Sequence, residues 1–149
     1  MYTPHSVTIY NAHENQKSGK TEYNVTILDG VFLDVSKGTN VAKTGSDNAD
    51  AARLFIPFSV EAKNGLTGAV QTYVSPKVYE NAEDKSGLWT LRTSGSTSPA
   101  ACFFAKGKIV KQAGYQEINR IYDDVFRISS VDVRDFGSPE MHHWMVGAK

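Results

Sequence analysis

The residues at 21–28, TEYNVTIL, alternate Tyr23, Val25 and Ile27 with Glu22, Asn24 and Thr26. Period two over that length marks a β-strand, because successive side chains on an extended backbone point to opposite faces. Upstream, residues 6–10 (SVTIY) are β-branched and aromatic, which suits a second strand. The polar stretch 11–20 (NAHENQKSGK) reads as their connection, so the two segments predict an N-terminal β-hairpin. Downstream, Asp29-Gly30 has the chemistry of a tight turn, and residues 31–35 (VFLDV) read as the next strand.

The same rhythm of short apolar runs and polar turns continues to the end of the chain. Residues 54–60 (LFIPFSV) form a strand in which Pro57 cannot donate to a ladder, so an edge, a bulge or a strand start is expected there. Residues 73–79 (YVSPKVY) look extended through Pro76, residues 80–87 form a turn or short helix, and residues 88–92 (LWTLR) make another strand. Ser/Thr/Gly-rich residues 93–99 are a loop. Residues 101–111 (ACFFAKGKIVK) read as one bent strand or two, broken at Gly107, and residues 115–122 fit helix or strand equally. Residues 125–133 (VFRISSVDV) mix polar and apolar side chains on both faces, and residues 142–146 (HHWMV) close the chain as a strand.

Two segments lack any apolar period. Residues 37–52 (KGTNVAKTGSDNADAA) read as a long loop, with one helical turn allowed at 48–53, and residues 61–72 (EAKNGLTGAVQT) read as a second. Long loops inside compact domains are uncommon and often functional. No repeat of 20–50 residues appears, which excludes solenoids and propellers. The expected architecture is one all-β domain over residues 1–149: a small barrel or sandwich with those two loops and at most one or two short helices.

Composition narrows the function classes. Lysine plus arginine equals aspartate plus glutamate at 16 each, so no net field recruits nucleic acid or an anionic membrane. No run approaches about 20 apolar residues, and residues 1–10 lack a cationic segment followed by an apolar one, so neither a membrane span nor a signal peptide is expected. The single Cys102 excludes an intrachain disulfide. It sits in ACFF, where a buried, inert thiol is the expectation. Asp123-Asp124 fits a turn better than paired catalytic carboxylates. His142-His143 would face opposite sides of a strand and cannot readily chelate one ion. Lys106, Lys108 and Lys111 beside Phe103 and Phe104 make only a modest basic cluster. No G-x-S-x-G elbow, Walker loop or G-x-G-x-x-G turn is present. An enzyme is therefore not expected, and neither is a cofactor or metal.

Several phrases, taken in order, carry a resemblance: Val7-Thr8-Ile9-Tyr10-Asn11, Leu28-Asp29-Gly30-Val31-Phe32, Lys43-Thr44-Gly45, Leu54-Phe55-Ile56-Pro57-Phe58, Tyr73-Val74-Ser75-Pro76-Lys77, Leu88-Trp89-Thr90-Leu91, Asp135-Phe136-Gly137-Ser138 and His143-Trp144-Met145-Val146-Gly147. As a set they resemble the head–tail connector, or head-closure (stopper), proteins of phages of Gram-positive bacteria, often labelled minor capsid proteins. The chain departs from that pattern after Leu91, where residues 93–99 intervene and Lys108-Ile109-Val110-Lys111 stands as the displaced equivalent of a strand. The resemblance implies a small β-barrel whose copies form a ring in the virion neck, assembled in the host cytoplasm. That ring joins the portal–adaptor assembly to the tail terminator or tail tube protein and helps retain packaged DNA. DNA passes the lumen without sequence-specific binding. On that reading the interface residues are Lys43, Thr44, Asp47 and Asn48 in the first loop, Lys63, Asn64 and Leu66 in the second, and His143 and Trp144 near the end. A strand such as residues 54–58 offers an edge for sharing with a neighbour. The alternatives are a tail terminator or other tail-proximal ring, and, outside phages, a ligand-binding β-barrel.

Overall fold

Strand β1 (His5–Glu14) pairs antiparallel with β2 (Thr21–Val35), and from this hairpin the sheet closes on itself. The structure, a computed structural model, describes residues 2–14, 17–36, 51–93 and 102–149. Around the barrel the order is β1, β7 (Phe103–Lys106), β8 (Val125–Arg134), β9 (His143–Ala148), β3 (Ala52–Pro57) and β2, which returns to β1. A seventh strand, β4 (Glu61–Asn64), pairs with β2 outside that ring, and β5 (Thr72–Tyr73) pairs with β6 (Leu88–Trp89) in a separate two-stranded sheet. Two short helices, α1 (Pro76–Asn81) and α2 (Tyr115–Ile121), and one 3-10 turn (Pro139–Met141) complete the described chain. The fold is mainly β, a closed six-strand barrel.

A barrel of so few strands leaves room only for side chains. Val7, Ile9, Leu28, Leu54, Phe104 and Ile128 fill it, each fully buried. A second cluster lies outside the barrel wall. Tyr10, Val25, Phe103, Ala105 and Val125 project outward from β1, β2, β7 and β8 and are roofed by Ile109, Ala113 and Ile118 from the strap of residues 107–122. The alternation of Tyr23, Val25 and Ile27 thus marks the outer face; inward, Leu28 joins the barrel core, and Thr26 and Asn24 bond to Gln71 and Tyr79.

Several expectations are corrected. Residues 11–14 continue β1 rather than connecting it, because Asn11 finds buried partners: its amide donates to the Thr90 carbonyl at 2.8 Å and to Cys102 Sγ at 3.0 Å. Asp29-Gly30 is not a turn. The register pairs His5 with Val31 and Ser6 with Asp29, so Gly30, at φ +99°, is the extra residue of a bulge that bends one 15-residue strand around the barrel corner. Residues 61–72 are ordered: Asn64 accepts from the Leu66 and Thr67 amides, Gln71 N donates to Ala62 O, and β4 fixes the start. The stretch 73–79 is extended only as far as Ser75 (ψ 156°), whose hydroxyl accepts from Val78 N and caps α1 with Pro76 in its first turn.

Residues 108–111 are strap, not strand, since β7 ends at Lys106 and Gly107 turns at φ +96°. Of residues 88–92 only Leu88 and Trp89 are strand, and of residues 115–122 all but the extended cap Tyr122 are helix. Ala52 and Arg53 open β3 instead of a helical turn. The same strand pairs with β9 over Ala52–Pro57 and with β2 over Ala52–Phe55, so only residues 54 and 55 of the stretch 54–58 are held on both sides. Pro57 stands at its C-terminal end. The mixed faces of residues 125–133 come from a second irregularity between Ile128 and Ser130, which resets the alternation so that Phe126, Ile128 and Val131 all meet the core. The loop expected at 37–52 falls outside the described residues except for Ala51 and Ala52, and the one at 93–99 except for Thr93.

Candidate functional site

Two regions stand out: the mouth of the barrel at the β1–β2 tip, and an outer face across β2, β3 and β9. The mouth is a cleft of about 1020 Å³ between the hairpin tip, α1 and the segment that follows it. Its floor holds Arg92, 4% exposed, with Glu80 Oε1 2.8 Å from Nη2 and the Ala12 carbonyl 3.4 Å from Nη1. The Glu80 contact is close enough to pair the charges, though it is not aligned as a hydrogen bond. Asn24 donates to the Tyr79 hydroxyl and to the Lys85 carbonyl, both at 2.8 Å. His13 faces Glu22 at 3.5 Å and the edge of the Tyr79 ring. Burial and the Lys85 cation lower the His13 pKa, against the opposing pull of Glu22. Burial raises that of Tyr79. The Asn24–Tyr79 hydrogen bond and the Arg92–Glu80 charge pair tie α1 to the cleft, while His13 Nδ1 and Arg92 Nη2 are buried without a hydrogen-bond partner among the described residues.

Cys102, fully buried, touches Asn11, the Arg92 amide and Thr90 rather than a base, and burial pushes its thiol up. Among the described residues no three His, Cys, Asp or Glu side chains gather as a metal site, and no helix is long and apolar enough to cross a membrane.

The outer face is a grid read from the strand register. Phe32, Phe55 and Met145 stand side by side on β2, β3 and β9, and Pro57 and His143 form the next row. Tyr2 and His5 reach the Phe32 ring at 6.2 and 5.6 Å, Phe32 meets Phe55 at 5.9 Å, and Phe55 meets His143 at 5.9 Å. Phe32, Phe55, His143 and Met145 are half-buried. At the adjoining β8–β9 turn Phe136 and Met141 are 66% and 54% exposed. Contiguous apolar surface of this kind marks interaction sites.

The structure separates the residues singled out for an interface. His143 lies on this outer face, its ring tilted against Phe55. Trp144, its neighbour, points the other way and is 7% exposed among Phe58, Tyr73 and Trp89. Lys63 is exposed on β4, and Leu66 is exposed on the turn that follows it. Asn64 is buried and consumed by that turn. Lys43, Thr44, Asp47 and Asn48 lie outside the described residues. Sequence reasoning missed Phe32, Phe55 and Met145, although VFLDV and LFIP carry apolar residues at consecutive positions, the mark of a strand covered on both faces.

A family of unknown function (DUF6751) matches residues 2–149. The chain belongs to this family. No curated protein and no solved structure matches it.

Proposed function

We propose that this family member is a structural, non-catalytic subunit of a phage neck: a head-closure ring joining the portal–adaptor assembly to the tail and helping to retain packaged DNA. The phage part of the reading is supported by the ordered phrases that resemble head-closure proteins. The assembly part is carried by one observation, the half-buried aromatic outer face of β2, β3 and β9, which Tyr2 and His5 meet at Phe32. A filled, closed barrel gives a rigid body on which such a face can be presented. Balanced charge suits a lumen that lets DNA pass without gripping it. Among the described residues the helices are only six and seven residues long, which favours head closure over a tail terminator, a class that packs helices against its sheet.

Cryo-electron microscopy of the virion neck tests this. A ring of this chain between portal–adaptor and tail is expected; density in the tail tip or capsid lattice overturns it. The barrel-mouth cleft supports a second reading, a ligand-binding barrel. That reading expects a small molecule to raise the melting temperature and Tyr79→Phe or Arg92→Met to abolish the shift.

A further inference from the structure

A guanidinium stays charged inside a protein, so burying one is costly unless aligned acceptors surround it. Arg92 is 4% exposed on the floor of the barrel-mouth cleft and is poorly supplied with them. Its Nη1 reaches the Ala12 carbonyl only at 3.4 Å, and its Nη2 has no hydrogen-bond partner among the described residues. The carboxylate beside it, Glu80 Oε1 at 2.8 Å, is misaligned and belongs to a side chain on α1 that is 43% exposed. Glu80 can therefore swing into water and uncover a guanidinium that stays in place. A buried charged donor left short of acceptors in an open cleft asks for an acceptor from outside.

We infer that the cleft takes a small amino-acid-like ligand, whose carboxylate replaces Glu80 on Arg92 while its cationic group meets the acidic rim. This assignment rests on the ligand-binding reading of the cleft. A free carboxylate can dock on the guanidinium fork through two parallel hydrogen bonds, which Glu80 does not make. The rim decides what else the ligand carries. Exposed Glu14, Glu22, Glu83 and Asp84 line the cleft against Lys17 and Lys85, and Lys85 already donates to the Ala82 carbonyl at 2.6 Å. His13, its pKa lowered by burial and by Lys85, adds no positive charge near neutral pH. The field at the mouth is therefore negative. It opposes nucleic-acid backbones and multiply charged phosphates, and it favours a single carboxylate that brings its own cation.

Nuclear magnetic resonance titration of the full chain near neutral pH, at fixed ionic strength, is the test. The probes are L-lysine, hexanoate, L-lysinamide and inorganic phosphate. L-lysine is expected to saturate the signals of residues 80–85 and Arg92, hexanoate to bind more weakly, and lysinamide and phosphate to leave them unmoved. Glu80→Gln removes the resident carboxylate and is expected to tighten both acids about fivefold. Arg92→Met is expected to abolish their binding; should it fail to fold, the surface change Glu80→Gln carries the test alone. Lysinamide binding as tightly as L-lysine, phosphate binding more tightly, or acids no tighter in Glu80→Gln overturns the assignment and leaves the ligand-binding reading of the cleft standing. No saturable shift with any probe overturns the assignment as well. The ligand-binding reading itself falls only if a broad small-molecule screen also fails to raise the melting temperature.

Discussion

The two outer faces of the barrel carry similar side chains and meet different ends. Over β1, β2, β7 and β8 the row of Tyr23, Tyr10 and Phe103 is roofed by residues 107–122, and Tyr10 and Phe103 fall to 0% and 2% exposed. Over β2, β3 and β9 the row of Phe32, Phe55 and Met145 stays half-buried, with Asp34 and Arg53 exposed at its margin. The roof is hydrogen-bonded to the wall as well as packed on it. Thr8 Oγ1 donates to Gly107 O at 2.8 Å and accepts from Ile109 N at 2.9 Å, and the Tyr10 hydroxyl donates to Lys111 O at 2.8 Å. An outer aromatic row on this barrel is thus stable in two ways: sealed by a strap whose backbone is satisfied, or left available to something else.

Truncating the sealed face should cost most. Phe103 stacks on Tyr10 at 4.6 Å and meets Tyr23 and Tyr115 edge-on, so Phe103→Ala opens a cavity among three rings. Denaturant unfolding should show a loss of about 3–5 kcal/mol. A loss below about 1 kcal/mol would erase the distinction between the faces. Thr8→Val should cost about 1–3 kcal/mol by stranding the Gly107 carbonyl and the Ile109 amide. Hydrogen exchange of residues 107–122 should accelerate in this variant before that of β8, because the change unpins the strap alone.

The barrel mouth is independent of both faces and is separable by pH. The His13 pKa is lowered in the fold by burial and Lys85, so the unfolded chain binds its proton more readily. His13 therefore contributes stability above its unfolded value near 6.5, and that contribution is lost as the pH falls through the folded value. The melting temperature should decline as pH drops below about 6.5, and His13→Gln should flatten that decline. An undiminished decline in the variant would place the titrating group elsewhere.

Period and propensity made the barrel legible but not the purpose of each face. Residues 21–28 announced a strand, yet alternation cannot say which side is inside, and here the apolar side faced outward because a strap 80 residues away covers it. Gly30 looked like a hairpin turn because Asp-Gly turn chemistry and a glycine bulge share the same residues; only the partner strand distinguishes them. Ser75-Pro76 carries both an extended bias and helix-capping chemistry, and the capping decides the structure there. Arg92 and Glu80 are paired across the cleft by tertiary closure, with no spacing in the sequence that points to them. Phe32 and Phe55, at the centre of the half-buried outer face, are visible only as unbroken apolar runs.

The smallest stability effect is the one that gives the comparison its meaning. Phe55 is half-buried and touches Phe32 and His143 at ring distances of 5.9 Å, so its ring already lies partly in water. Phe55→Ala removes that partial burial without hollowing the core, because Leu54 and Ile56 on either side carry the inward contacts. Unfolding of the monomer should therefore lose only about 1 kcal/mol, well under the cost at Phe103. A loss matching Phe103→Ala would mean that Phe55 is structural and that its face is not spare surface. A small loss leaves a large ring held near water at little benefit to the lone chain, and its contribution then lies in contact with another molecule.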